Sequence, residues 1–346
     1  MKLILKSIII LLAAGFLSPI EAQNVSKKKF KNPLLVSGPD PWVTQYNGIY
    51  YFMRTTGSNL QIIATTKMSE LSASKPVTVW TPPDSGKYTK QLWAPELHRI
   101  EGKWYIYFTA DDGNNHNHRM YVVENKDDSP MTKNWEFKGQ VKDSTDKWAI
   151  DATVFSYKNK NYMVWSGWEG DENISQNLYI AALSNPWTIS GKRILISHPE
   201  YDWEIQGSFS GSPKVNEGPE ILKHSNGNVF LTYSASGCWT DDYALGLLSL
   251  KKNGDPLVAS DWIKDRQPVF SKSIENSAYG PGHNSFFKSP DSNEDWIIYH
   301  ANPKPGQGCA NYRSVRMQKF TWNKEGRPVF GIPQKYTTEM PVPSGE

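Results

Sequence analysis

A hairpin signature recurs five times along this chain, with little helical periodicity between the copies. The segments are DPWVTQYNGIYYFMRTTG from Asp40, APELHRIEGKWYIYFTADDG from Ala94, DATVFSYKNKNYMVWSGWEG from Asp151, GPEILKHSNGNVFLTYSASG from Gly218 and NSFFKSPDSNEDWIIYHANP from Asn284. Each joins a short apolar run to a second run rich in aromatic and β-branched residues through a turn of Gly, Asn or Asp, which is the pattern of a β-hairpin. The starts lie 54 to 67 residues apart. Stretches between them, such as MYVVENK (120–126) and LYIAALS (178–184), supply further strands. One β-meander per unit, five times over, predicts an all-β chain folded as a five-bladed β-propeller. A β-sandwich would account for the strands but not for the repeat. Pro82–Pro83 and the polar stretches 111–118 and 253–261 read as loops within or between blades, so residues 23–346 are expected to form one domain.

In a propeller the first strand of each blade lines a central channel, so equivalent positions ring one axis. Asp40, Ala94, Asp151, Gly218 and Asn284 are equivalent in this alignment. One residue earlier stand Pro39, Trp93, Ile150, Glu217 and His283. Three carboxylates from three blades, Asp40, Asp151 and Glu217, therefore meet at one mouth, beside Trp93 and His283. A charge at the start of a channel strand is costly unless paired or used. Three like charges raise one another's pKa values. Hydrolysis of a glycosidic bond needs such a set, with one carboxyl protonated while another is ionised. A lone Asp before Pro is ordinarily a turn cap; three acids in one register point to a site. The stretch KVNEGPEIL (214–222) holds a second acid, Glu220, equivalent to Trp42, Glu96, Thr153 and Phe286. The alignment assigns Glu220 and Glu96 to strand neighbours rather than the axis, and leaves Glu217 as the working acid. Asp40 and Glu217 come from blades I and IV, which are not adjacent in a ring of five. That favours the wider carboxyl separation of an inverting hydrolase.

Bulk properties narrow the partners. The net charge is +3 and the Lys and Arg residues form no stripe, which argues against nucleic acid. Aromatic residues make up 13% of the chain; a sugar-binding surface and a large β-core both explain that. Residues 1–22 have Lys2 and Lys6 before an apolar run through Leu17, then Pro19 and Ala22. They read as a secretory signal peptide rather than a membrane span, so the expected location is secreted or periplasmic, with no membrane attachment after cleavage. Two cysteines, Cys238 and Cys309, follow the second strands of neighbouring hairpins IV and V. An exported chain permits a disulfide between them.

The motifs GPDPWV, LWAPELH, AIDATVF, NEGPEIL, GPGHNSF and RSVRMQ (313–318) occur in this order. Together they resemble glycoside hydrolase family 43, the five-bladed propellers that attack arabinans and xylans, over residues 32–333. The stretches YSASGCWTDDYALGLL and WIIYHANP are most similar to its exo-acting α-L-arabinofuranosidases. The resemblance implies that Asp40 is the general base, that Asp151 tunes and orients the acid, and that Glu217 is the general acid. The channel register selects the same three. The resemblance also implies a sugar contact for Arg313, with Arg316 as the competing choice. It gives His283 a place beside the substrate and near a channel metal or its waters; a buried core histidine is the alternative. Trp93 would offer an apolar face to a furanose ring, and Trp165 and Trp168 are further residues of this kind. The chemistry requires no cofactor, and a structural calcium or sodium ion could sit in the channel. The expected function is a secreted, inverting hydrolase that releases terminal α-L-arabinofuranosyl residues from plant cell-wall arabinan or arabinoxylan. A β-xylosidase or endo-arabinanase on the same fold, or a non-catalytic polysaccharide-binding propeller, are the alternatives.

Overall fold

A computed structural model describes residues 28–207 and 211–346. The expected signal segment, 1–22, and its junction with the domain lie outside the described residues. After β1 (Lys29–Lys31), twenty strands make five antiparallel meanders. Blade I holds β2 (Trp42–Tyr46), β3 (Ile49–Met53), β4 (Leu60–Thr65) and β5 (Val77–Trp80). Blade II holds β6 (Lys90–Ile100), β7 (Lys103–Asp111), β8 (Arg119–Asn125) and β9 (Trp135–Val141). Blade III holds β10 (Ala149–Tyr157), β11 (Lys160–Trp168), β12 (Ser175–Asn185) and β13 (Thr188–Ser197). Blade IV holds β14 (Lys214–Lys223), β15 (Val229–Ala235), β16 (Ala244–Leu250) and β17 (Trp262–Lys264). Blade V holds β18 (Tyr279–Lys288), β19 (Asp295–Asn302), β20 (Ser314–Trp322) and β21 (Pro328–Val329). All five hairpins read from the sequence are the first two strands of a blade. Among the described residues no helix is long and apolar enough to cross a membrane.

Each sheet is covered on both faces by its neighbours. One apolar cluster joins blades I and II around Trp104 and Phe108, and another joins II and III around Tyr107 and Trp165. Leu231 and Val164 join III and IV, Tyr299 and Leu247 join IV and V, and Phe52 and Ile298 join V and I. A strand buried on both faces reads as a continuous apolar run rather than an alternating one, which is how YIYF, YMVW, VFLTY and WIIY look. Most of the chain's aromatic residues are spent here. The ring closes where the chain begins and ends. Leu34 donates to Val315 O of β20, Val315 returns a bond to Leu35 O, and Gly38 donates to Arg313 O. The strand β1 pairs with β22 (Glu339–Pro341).

The inner strands share one irregularity. In β6, β10, β14 and β18 a two-residue bulge interrupts the ladder: 94–95, 151–152, 218–219 and 283–284 each face a single residue of the next strand. The first residue of each bulge has positive φ: Ala94 (41°), Asp151 (57°), Gly218 (55°) and His283 (44°), matched in blade I by Asp40 (56°). For residues other than Gly this conformation is strained. The bulge corrects the alignment in blade V by one residue. His283, not Asn284, is the equivalent of Asp40 and Asp151, and Gly282, not His283, stands level with Glu217 and Trp93. At Gly218 the missing side chain matters, because a Cβ there would lie 3.1 Å from the His283 ring.

Candidate active site

The four bulges, with the matching backbone turn at Asp40 in blade I, aim five blades at one cavity of about 380 Å³, whose walls include Asp40, Asp151, Glu217, Trp93, His283 and Arg313. The three acids thus converge as the register requires. Asp40 sits in a ring of donors. Arg313 Nη1 donates to its Oδ1 at 3.0 Å and the Thr55 hydroxyl to its Oδ2 at 2.6 Å. His283 Nδ1 stands 3.3 Å from Oδ1. Burial pushes the Asp40 carboxyl up, but Arg313, the two neighbouring imidazoles and the Thr55 hydroxyl outweigh it and hold it well below the usual carboxylate range. Burial pushes the imidazoles of His283 and His300 down, toward the neutral form, and the largest of the influences that lower Asp40 is the Arg313 charge.

Glu217 is the opposite case. Burial, with Asp40 adding to it, raises its carboxyl to about 7 against the partial relief given by the Tyr243 hydroxyl and Arg313. Tyr243 donates to Oε1 at 2.9 Å. Asp151 is raised by burial, Glu217 and Asp40, while Gly218 N–H donates to its Oδ2 at 3.0 Å. That bond ties Asp151 of blade III to the residue next to Glu217 in blade IV. Both shifts run upward, so the Asp151–Glu217 pair retains a proton near neutrality.

Arg313 faces this cavity, whereas Arg316 is fully buried in blade V, donating to Ser314 Oγ and Ser277 O. Trp93 forms a wall and stacks on His118, with ring centroids 4.0 Å apart. Trp165 and Trp168 do not reach the cavity. Trp165 is core between blades II and III, and Trp168 stacks behind the wall residue Trp148 at 4.8 Å. Cys238 and Cys309 are joined by a disulfide, as their places in adjacent blades suggest. Among the described residues no group of three or more His, Cys, Asp or Glu side chains is disposed to hold a metal.

Glu220 and Glu96 correct the sequence reading. Both face the axis, one layer deeper than Glu217, rather than strand neighbours. The Thr153 hydroxyl donates to Glu220 Oε2 at 3.4 Å, and His98 Nε2 lies 2.8 Å from Glu96 Oε2. Burial raises both carboxyls well above the usual range, and Glu220 adds to the shift at Glu96 across the channel. Neither lines the cavity. Three contributors have no counterpart in the sequence reading: Thr55, Tyr243 and His300, whose Nδ1 accepts the Asp40 N–H at 3.2 Å. Thr55 and His300 lie at or just beyond the rim end of a second strand, in RTTG and YHANP, and Tyr243 stands at the same rim just before a third strand, in DDYALG. Polar residues at that rim are the signal that marks them.

The model of glycosyl hydrolases family 43 matches residues 30–328. The chain is 40% identical over 313 residues to an extracellular exo-α-(1→5)-L-arabinofuranosidase of Streptomyces avermitilis, covering 88% of this chain and 63% of that protein. It thus spans under two thirds of that relative's length. It is 37% identical to an enzyme of the same description from Streptomyces chartreusis, covering 79% of this chain and 82% of the other. The crystal structure of an α-L-arabinofuranosidase from Lactobacillus brevis superposes with a TM-score of 0.83 at 37% identity, covering 89% of this chain and 98% of that one.

Proposed function

Because the chain belongs to glycosyl hydrolase family 43, we propose that it is a secreted exo-acting α-L-arabinofuranosidase that cleaves terminal arabinofuranosyl units from arabinan-type polysaccharide with inversion. The observation that carries this is the opposed state of two carboxyls in one cavity: Asp40 held low by Arg313 and Thr55, Glu217 held near 7 by burial. The low carboxyl is ionised and serves as base; the high one is protonated and serves as acid. The extracellular relatives and their arabinofuranosidase activity support the substrate class and the location.

Asp40 takes a proton from water as the water oxygen bonds to the anomeric carbon. The glycosidic C–O bond breaks on the opposite face, and Glu217 gives its proton to the leaving oxygen. Asp151, whose own carboxyl is raised, shares the pair's retained proton with Glu217 and is tied to its strand through the Gly218 N–H, which tunes and orients the acid. Tyr243 fixes the Glu217 carboxyl, and Arg313, Thr55 and His283 fix that of Asp40. Afterwards Asp40 loses its proton to solvent and Glu217 regains one. Trp93 supplies an apolar wall for the furanose. Asp40 and Glu217 reach in from non-adjacent blades, which leaves room for a water between base and sugar.

Proton NMR during the first turnovers on a (1→5)-linked arabino-oligosaccharide tests the reading. The expected first product is β-arabinofuranose from the α-linkage, before mutarotation. An initial α-anomer refutes the single displacement, and no release of arabinose refutes the substrate class.

A further inference from the structure

We propose that Trp239 is the platform for the sugar on the leaving-group side of the scissile bond, and that the Cys238–Cys309 bridge holds it in place. The inference rests on the arabinofuranosidase reading above and extends it to the second sugar of the chain. Trp239 lies in the connection between β15 and β16. It is 37% exposed, and it lines the same cavity as Glu217 and Arg313. No step of the hydrolysis uses it. A large indole left open at the mouth of a cavity lined by acids is a natural seat for a ligand with an apolar face. A neutral pentofuranose offers one in its ring C–H groups.

The blade that carries Trp239 says which sugar it meets. Glu217 protonates the leaving oxygen, so the leaving sugar lies on the Glu217 side. Glu217 belongs to blade IV, and its hydroxyl partner Tyr243 is in the same β15–β16 connection as Trp239, four residues on. The other aromatic walls, Trp93 and Trp148, come from blades II and III. They are left to enclose the terminal sugar.

The loop is built to be rigid. Gly237 has a φ of 47°, and a Cβ there would fall 2.4 Å from the indole of Trp239. The ring therefore lies flat on a backbone that only glycine leaves bare. From blade V, Gly308 backs the Trp239 main chain, where a Cβ would be 3.6 Å from its Cα. The disulfide joins the residue before Trp239 to the residue after Gly308. Gly306 N–H donates to both oxygens of Asp241 at 2.8 and 3.1 Å, and Asn302 Nδ2 donates to Gly308 O at 2.9 Å. A platform fixed before the substrate arrives loses little entropy on binding.

The test compares two substrates. One is (1→5)-linked α-arabinotriose, which has a leaving sugar; the other is α-L-arabinofuranosyl fluoride, which has none. In Trp239→Ala, kcat/KM should fall about tenfold or more further on the triose than on the fluoride, with most of the difference in KM. Trp239→Phe should restore much of it. Cys238→Ser with Cys309→Ser should reproduce the selective loss with the indole still present. Equal losses on both substrates in Trp239→Ala overturn the platform. A double serine variant with unchanged selectivity overturns the role of the bridge. Wild-type protein that hydrolyses neither substrate overturns the parent reading instead, which an active enzyme with unselective variants does not.

Discussion

Glu217→Gln separates the chemistry of the acid from the energetics of burying it. The folded protein raises this carboxyl from 4.5 to about 7, chiefly by burial. At about 1.4 kcal/mol per pKa unit, ionising it in place costs on the order of 3 kcal/mol. The raised value means that the folded chain holds a proton that the unfolded chain gives up. The stabilisation from that proton is complete below the unfolded value and is lost as pH rises through about 7. The amide does not titrate, and its Oε1 can still accept the Tyr243 hydroxyl. The stability difference, variant minus wild type, should therefore grow with pH. Between about pH 4 and pH 8.5 it should move by about 3 kcal/mol in favour of the variant, or several degrees in melting temperature. The same samples should lose about 10²- to 10⁴-fold in kcat on arabino-oligosaccharides. Aryl arabinofuranosides with acidic phenols should be spared more, because their leaving groups need less protonation. Thermal melts and initial rates across the pH range check both arms. A melting-temperature difference that stays constant with pH would show that Glu217 is not held protonated, and the assignment of the acid would fall with it.

Three further outcomes follow from the same geometry. Arg313→Gln removes the strongest influence holding Asp40 low, so the acid limb of kcat/KM should move up toward the ordinary carboxylate range; a pH–rate profile with an unmoved acid limb contradicts this. Glu220→Gln should change kcat/KM little, because Glu220 lies outside the cavity, and should raise stability above neutral pH by relieving an ionisation that burial opposes; a loss of activity matching that of Glu217→Gln refutes the division of labour. Replacing both cysteines with Ser should lower unfolding free energy by about 2–5 kcal/mol, read from denaturant titration against the wild type.

The fold was legible because each blade writes its own hairpin, and the turns ending each run are local signals. The acids were legible because Asp40, Asp151 and Glu217 repeat one position relative to those hairpins. The aromatic content was not a guide to the site. Trp165 and Trp168 sit near it in sequence, yet double-sided burial of the blades consumed them as core. Blade V was misaligned by one residue for a comparable reason. In blades I, II and IV a Pro follows the residue of positive φ, at Pro41, Pro95 and Pro219. In blade V the Pro of GPGHNSF comes two residues before that residue, and Asn284 takes the Pro's place. Without that mark, a hairpin signal alone fixes the register only to within a residue.

The same bulge explains why KVNEGPEIL carries two acids of different use. In a regular strand, residues three apart point to opposite faces. On that rule Glu217 and Glu220 could not both look at the axis, and no residue in the stretch signals an exception. The extra residue at 218–219 does so: Glu217 pairs with Ser234 and Glu220 with Thr232, two apart on β15, so both acids return to one face. Trp93 with Glu96 and Ile150 with Thr153 follow the same phase. Depth then divides them. Glu217, at the mouth, is left half-open to a substrate, whereas Glu220 is sealed beneath it against Thr153 and opposite Glu96. A carboxyl raised by burial is an acid catalyst only where something can enter to take its proton, and in this channel only the upper layer meets that condition.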